Sequence, residues 1–176
     1  MKFMSPNVPK IDGSIGLDIF EGHAITLSLA MQELTVESKA SLAARIKRGK
    51  EVPIHFVREA GGISLSVFVA VPTPAGVAWM EFDCGNGGVN VVGKHLAELL
   101  KLDPGQKDPQ PASFRLGGGV PVEGMARIND TIIMDGNIGT RFLINWDLTL
   151  DLANRRAWLA PTEHKEVAVP KTHGAN

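Results

Sequence analysis

The sequence predicts an all-β protein, and three observations carry that expectation. The middle of the chain is a succession of short runs rich in Val, Ile and Phe. Those runs are punctuated by glycine and proline turns, as strands are. The last of them alternate apolar and polar residues, the pattern of a sheet with one buried face. Residues 52–57 and 63–71 are the first two runs, and Gly61-Gly62 between them reads as a hairpin turn. Pro72-Thr73-Pro74 ends the second. Residues 76–82 form a third apolar strand that stops at Asp83-Cys84-Gly85-Asn86-Gly87-Gly88.

Residues 89–92 read as a further strand. Residues 93–101 then have helical spacing, with Leu96, Leu99 and Leu100 on one side. Three prolines and a glycine among polar residues make 103–112 a loop or flexible arm. Short strands are expected at 113–116, 120–128 and 131–134, and a brief helical piece at 140–145. Residues 147–152 and 156–160 alternate, with Ala153-Asn154-Arg155 as the turn between them. From residue 162 onward the polar chain is expected to be disordered.

The most informative feature is an internal repeat. Residues 12–30 and 135–153 align without a gap at an offset of 123 positions. Eight residue types coincide: Asp12/Asp135, Gly13/Gly136, Ile15/Ile138, Gly16/Gly139, Thr26/Thr149, Leu27/Leu150, Leu29/Leu152 and Ala30/Ala153. Average residue frequencies give roughly two such matches by chance. Both copies run Asp-Gly-x-Ile-Gly, a short helical piece, a strand, a turn and a second strand. This is the mark of a duplication.

Composition narrows the function. The chain of 176 residues is 44% apolar and 21% charged, as ordinary globular domains are. A formal net charge of -1 supplies no electrostatic case for nucleic acid or for an anionic membrane. The N-terminal residues lack the uninterrupted apolar stretch of a signal peptide. The apolar run at 63–71 is far too short to span a bilayer. A soluble chain is expected, with its compartment left open. The single cysteine permits no intrachain disulfide.

Motifs for other chemistries fail on their residues. Gly88 to His95 nearly spells a phosphate-binding loop, but His95 replaces the hydroxyl that would hold magnesium, and Val91-Val92 read as strand. Cys84 and His95 lack a third group to orient a thiol–imidazole pair. The five histidines show no metal-ligand spacing, so neither a metal nor a cofactor is expected. Trp79, Trp146 and Trp158 fall on strands or strand edges as core residues. The basic run Arg45, Lys47, Arg48 and Lys50 reads as a solvated helix end.

An apolar strand leading into Asp83-Cys84-Gly85, a Val-rich strand and helical stretch over 89–102, and a later Asn137-Ile138-Gly139 stand in one order. In these residues the chain resembles the retropepsin-like aspartic peptidases, half-size relatives of pepsin. The resemblance covers about residues 52–161. It implies a closed β-barrel with one short helix at 51–161. Residues 1–50 would be the second half of a preceding repeat plus a linker, and 162–176 a disordered tail.

It also implies a site. Asp83 would be the catalytic acid, Cys84 and Gly85 its loop, and Ile138 and Gly139 the loop packed beneath it. Two such aspartates, one from each subunit of a homodimer, would share a proton, activate water and hydrolyse a peptide bond. Its partners would be a peptide or protein substrate and a second subunit. The departures are Cys84 for Thr or Ser, Asn86-Gly87 where small residues are usual, Asn137 at an apolar position, and no hairpin pattern at 104–111. The other reading is a catalytically silent dimerisation or peptide-binding module on the same fold, with Asp83 capping its own glycine turn.

Overall fold

The computed structural model describes residues 15–62 and 64–163. Asp12, Gly13 and Ser14 of the repeat, Ile63 of the second run and the tail from residue 164 lie outside them. In chain order the elements are β1 (Ala24–Ser28), β2 (Glu33–Val36), α1 (Lys39–Arg48), β3 (Lys50–Val52), β4 (Ile54–Glu59), β5 (Ser64–Thr73), β6 (Gly76–Phe82) and β7 (Asn90–Gly93). There follow β8 (Gln110–Arg115), β9 (Pro121–Asn129), β10 (Gly136–Ile138), α2 (Thr140–Leu143), β11 (Trp146–Asp151) and β12 (Arg156–Pro161). Among the described residues no helix is long and apolar enough to cross a membrane.

The fold is mostly β, but its strands make two open sheets instead of the closed barrel expected. One has the order β2-β1-β11-β12-β3, the other β4-β5-β6-β10-β7-β9-β8. Pro53 explains the split of the single run expected at 52–57. Val52 still pairs with Ala157 of β12, whereas Ile54 pairs with Val69 of β5. A proline has no N–H for a ladder and restricts the residue before it, so the chain changes sheets there. The Pro53 carbonyl instead accepts the Ala70 N–H at 3.0 Å. Edge strands β4 and β8 stay unpaired with one another, and the larger sheet does not close.

Inside that sheet β5 is buried on both faces, which is why residues 64–71 read as a continuous apolar run. Val67, Val69 and Val71 point to the side filled by Met80, Val92 and Ile138, all fully buried. The short helix expected at 93–101 is two 3₁₀ turns, Lys94–Leu96 and Glu98–Leu100. Lys101, with φ +60°, stops the second. The expected strand at 131–134 is a turn. Asn129 Oδ1 accepts from Thr131 N, Thr131 Oγ1 and Ile132 N at 2.9, 2.9 and 3.2 Å, and this Asx turn competes with the ladder.

Helix α1 is announced by its cap. Ser38 and Ser41 form a capping box, with Ser41 N donating to Ser38 Oγ at 3.1 Å. It buries no residue fully, so hydrophobic spacing does not mark it. Arg45 anchors it, reaching Glu37 at 3.1 Å and the buried Asp147 at 3.4 Å. Trp158 is buried, with the Arg156 guanidinium 4.7 Å above its ring; Trp79 stacks on His55 at 3.6 Å.

The two repeat copies meet at the centre of the smaller sheet. Strand β1 pairs antiparallel with β11, and the central rung joins Thr26 to Thr149, residues 123 positions apart. The rungs on either side exchange under the same offset: Ile25↔Leu150 becomes Leu148↔Leu27, and Ala24↔Asp151 becomes Asp147↔Ser28. The hairpins match too, since Ile25↔Val36 in one is Leu148↔Leu159 in the other. Even the turns agree, with Gln32 and Arg155 both left-handed at φ +55° and +57°. The 3₁₀ turn Leu17–Phe20 corresponds to α2 residue for residue. A local two-fold axis therefore passes between Thr26 and Thr149.

Those two buried hydroxyls bond each other at 2.9 Å. Thr26→Val strands one hydroxyl without a partner and is expected to cost about 1–3 kcal/mol. Adding Thr149→Val removes the orphan and recovers most of that loss. Urea melts of both single variants and the double check this; equal additive losses would contradict it.

Candidate active site

Strand β6 ends at Phe82, and the chain turns sharply at Asp83. The turn sits against β10, which runs parallel to β6 with Ile138 opposite Phe82. Asp83 N donates to the Ile138 carbonyl at 3.0 Å, tying the aspartate to the second loop. Its carboxylate is then held from both sides. Oδ1 accepts from Gly85 N at 2.7 Å and Asn86 N at 3.2 Å. Oδ2 accepts from the Asn137 side-chain amide. Two backbone N–H groups and one side-chain amide thus fix the carboxylate in place, and the residue remains partly exposed.

The structure thus places Asp83 and Gly85 beside Ile138 and Gly139, while Cys84 stays outside their hydrogen bonds. Gly139 follows Ile138 where a side chain has no room: a Cβ there would lie 2.7 Å from the Asn86 carbonyl and 2.8 Å from its amide nitrogen. Thr140 donates its N–H and its hydroxyl to that same carbonyl, at 2.9 and 3.1 Å. Ile138 is fully buried under the loop. Phe82, Phe142 and Trp146 stack in series beside it, with ring centroids 6.5 and 5.8 Å apart.

Three asparagines complete the site, and two of them, Asn86 and Asn137, are departures from the family pattern. Asn86 donates its amide to Asn137 Oδ1 at 2.7 Å and to the Val89 carbonyl at 3.0 Å, and accepts from Gly88 N at 2.9 Å. Asn90, buried, accepts the Gly139 N–H at 3.2 Å. Asn86 and Asn137 are therefore one paired change, an amide–amide bond lacing two loops 51 residues apart. Two unusual polar residues, one in each loop of a pair expected to touch, were the available signal.

Cys84 is exposed and looks away from this network. It borders a small apolar hollow lined by Leu27 and Leu29 of the first repeat copy and by Leu143, Trp146 and Leu148 of the second. His95 is engaged elsewhere: its Nε2 lies 2.9 Å from Asp135 Oδ1, and Asp135 Oδ2 accepts the Trp79 N–H at 2.7 Å. The near-phosphate loop holds β7, paired on both sides, so no cradle forms there. Asp103-Pro104-Gly105 also makes an Asx turn, Gly105 N to Asp103 Oδ1 at 2.8 Å, but follows a 3₁₀ turn instead of a strand. Among the described residues no three His, Cys, Asp or Glu side chains cluster as a metal site.

The hairpin β8–β9 turns at Gly117–Gly119 and seats its tip on the chain crossing. A Cβ on Gly118 would fall 2.1 Å from the Glu51 carbonyl, and one on Gly117 2.5 Å from Pro53. The tip is thereby engaged in packing.

Next to Asp83 along β6, Glu81 has its pKa raised. Burial is the main cause; the Asp83 and Glu59 charges add to it, and a hydrogen bond from Ser66 opposes it. A carboxyl whose folded pKa lies above its unfolded value binds more protons when folded, so stability falls as pH rises through that interval. Glu81→Gln is therefore expected to be more stable than wild type at neutral pH, with the difference vanishing below about pH 4. Thermal melts at both pH values check this, and a variant less stable at pH 7 would contradict it.

Compared with family models, curated proteins and solved structures, the chain shows no match.

Proposed function

We propose that this chain is a retropepsin-like aspartic peptidase in which Asp83 is one of two carboxylates that hydrolyse a peptide bond. One observation carries the proposal. A carboxylate stands at the end of strand β6, held by two backbone N–H groups of its own loop and by the Asn137 side chain of β10, the strand that runs parallel to β6. That arrangement fixes the position of an acid while leaving it partly open to solvent.

The chemistry needs a second aspartate. Two carboxylates at close range share one proton, because both cannot ionise together. The ionised one takes a proton from water as the water attacks the scissile carbonyl. The protonated one donates to the carbonyl oxygen, where charge develops. In the homodimer expected from the sequence, the second acid is Asp83 of another subunit. No cofactor enters the reaction. The test is cleavage of a mixed peptide library by the purified chain from about pH 3 to 8, beside Asp83→Asn.

One observation favours a second reading. Asn137 takes an oxygen of Asp83, and Cys84 faces leucines instead of offering a hydroxyl to a facing loop. A silent dimerisation or peptide-binding module on this fold would hold a peptide without cutting it and would be indifferent to Asp83 replacement.

A further inference from the structure

The larger sheet ends at β4, and no described strand lies along its outer side. The direction of its backbone groups follows from one bond. The Pro53 carbonyl takes the Ala70 N–H at 3.0 Å, and the β4–β5 register continues from that rung without a break. Bonded and non-bonded rungs alternate in an antiparallel pair. His55↔Phe68, Val57↔Ser66 and Glu59↔Ser64 are therefore the bonded rungs. Ile54, Phe56 and Arg58 turn their N–H and C=O groups outward, where no described residue pairs with them.

Exposed edges of this kind are normally blunted, often by a proline within the strand. Strand β8, at the far end of the sheet, carries Pro111, whereas β4 has no proline between Ile54 and Glu59. The surface beside β4 is hollowed instead. Two hollows of about 510 and 320 Å³ meet at Phe56 and Arg155, which line both. Arg58, Leu65 and Leu152 line the first, and Ile54 the second. Side chains 54, 56 and 58 share one face of the strand. Ile54 and Phe56 are half-buried on it, with the Arg155 guanidinium 5.7 Å from the centre of the Phe56 ring.

The charge of this groove names what fits it. Arg58 is paired with Glu21, and Arg156 with Glu51. Arg155, held in the β11–β12 turn at φ +57°, has no carboxylate partner among the described residues. We propose that β4 is a docking edge for an extended peptide of another protein, which joins the sheet as a further strand and sets an acidic side chain against Arg155. The peptide backbone bonds to Ile54, Phe56 and Arg58, and its residues two places either side of the acid lie on the apolar groove. A second copy of this chain fits worse. Two β4 edges paired about Phe56 bring two Arg155 guanidinium groups together across the axis, and like charges so placed repel. None of the groove residues belongs to the hydrogen-bonded network around Asp83, so the inference does not rest on the peptidase reading.

The probe is a fluorescein-labelled peptide, Thr-Val-Thr-Glu-Thr-Val-Thr with blocked ends, beside the same peptide with Gln for Glu. Fluorescence anisotropy is expected to show binding of the Glu peptide tighter than about 1 mM, and weaker binding of the Gln peptide. Arg155→Gln, at an exposed site, should weaken the Glu peptide about five- to tenfold and leave the Gln peptide unchanged, while the exposed Arg127→Gln should change neither. Deuterium exchange reads the backbone. In the free chain the Ile54, Phe56 and Arg58 amides should exchange fast, and saturating Glu peptide should slow them at least about tenfold. Slow exchange of these amides in the free chain at high dilution overturns the inference, because the edge is then already covered. Protection that appears with rising protein concentration and no peptide also overturns it, in favour of a second copy. So does binding that leaves the amides unprotected, ignores Arg155→Gln, or is absent at about 1 mM. The mass of the recovered peptide reports cleavage separately. Binding and protection retained in Asp83→Asn support the docking edge whether or not wild type cuts the peptide, and binding lost in Asp83→Asn overturns it.

Discussion

On the proposed peptidase reading, Asp83→Asn is expected to lower peptide cleavage by about three orders of magnitude or more across the active pH range, the cost of losing an acid–base group that also balances a partner's proton. The substitution keeps shape and volume while removing the ability to ionise. Its structural side is readable from the same contacts. An asparagine at 83 can still accept from Gly85 N and Asn86 N, but its NH₂ then opposes the Asn137 amide. Asn137 relieves this by turning its amide over, which gives up the bond its Oδ1 receives from Asn86. That rearrangement costs about 1–3 kcal/mol of stability, less than a typical domain's total. A melt recorded beside the assay therefore separates lost chemistry from lost fold. A folded Asp83→Asn enzyme that cuts at the wild-type rate sinks the peptidase reading.

Ile138→Ala is the second large effect, and its repeat counterpart supplies an internal control. Ile138 is fully buried between the Asp83 loop and the core of the larger sheet, with no solvent to fill the space left by truncation. Replacements of this kind lose the transfer free energy and leave a cavity, about 2–5 kcal/mol together. Ile15→Ala, at the equivalent but exposed position, is expected to stay within about 0.5 kcal/mol. Denaturant titrations of both variants check the pair. Equal losses would mean that Ile15 is already covered in the chain as it stands.

The parts of the fold legible in the sequence were those with a local cause. The hairpin at Gly61-Gly62, the strand ending at Asp83 and the turn at 153–155 follow from turn residues and apolar runs. Two sheets in place of one barrel were not legible as such, although Pro53 stood in the middle of the first expected strand. Helix α1 escaped notice as an element because it buries no face completely; only its Ser38–Ser41 cap and basic end mark it. Residues 131–134 read as strand from Ile132 and Ile133, and the Asn129 side chain overrode that local preference. In the site, Asp83, Gly85, Ile138 and Gly139 could be named from two short motifs. The asparagine lacing could not, because it depends on two loops meeting across 51 residues.

The Thr26–Thr149 rung has a kinetic consequence as well. The strands it joins are separated by the whole larger sheet, so the middle of the smaller sheet is among the least local pairings in the chain. Such contacts form late, since a long loop must close before they return anything. During synthesis the β1–β2 hairpin emerges well over a hundred residues ahead of β11. At roughly 5–20 residues per second it waits on the order of 6–25 s with both of its long edges unpaired. In that interval a newly made hairpin can pair with β11 of a neighbouring chain as well as with its own, because the two sites are the same. Close spacing of nascent chains is therefore expected to raise the share of exchanged pairs, and slower translation, which lengthens the wait, to raise it further.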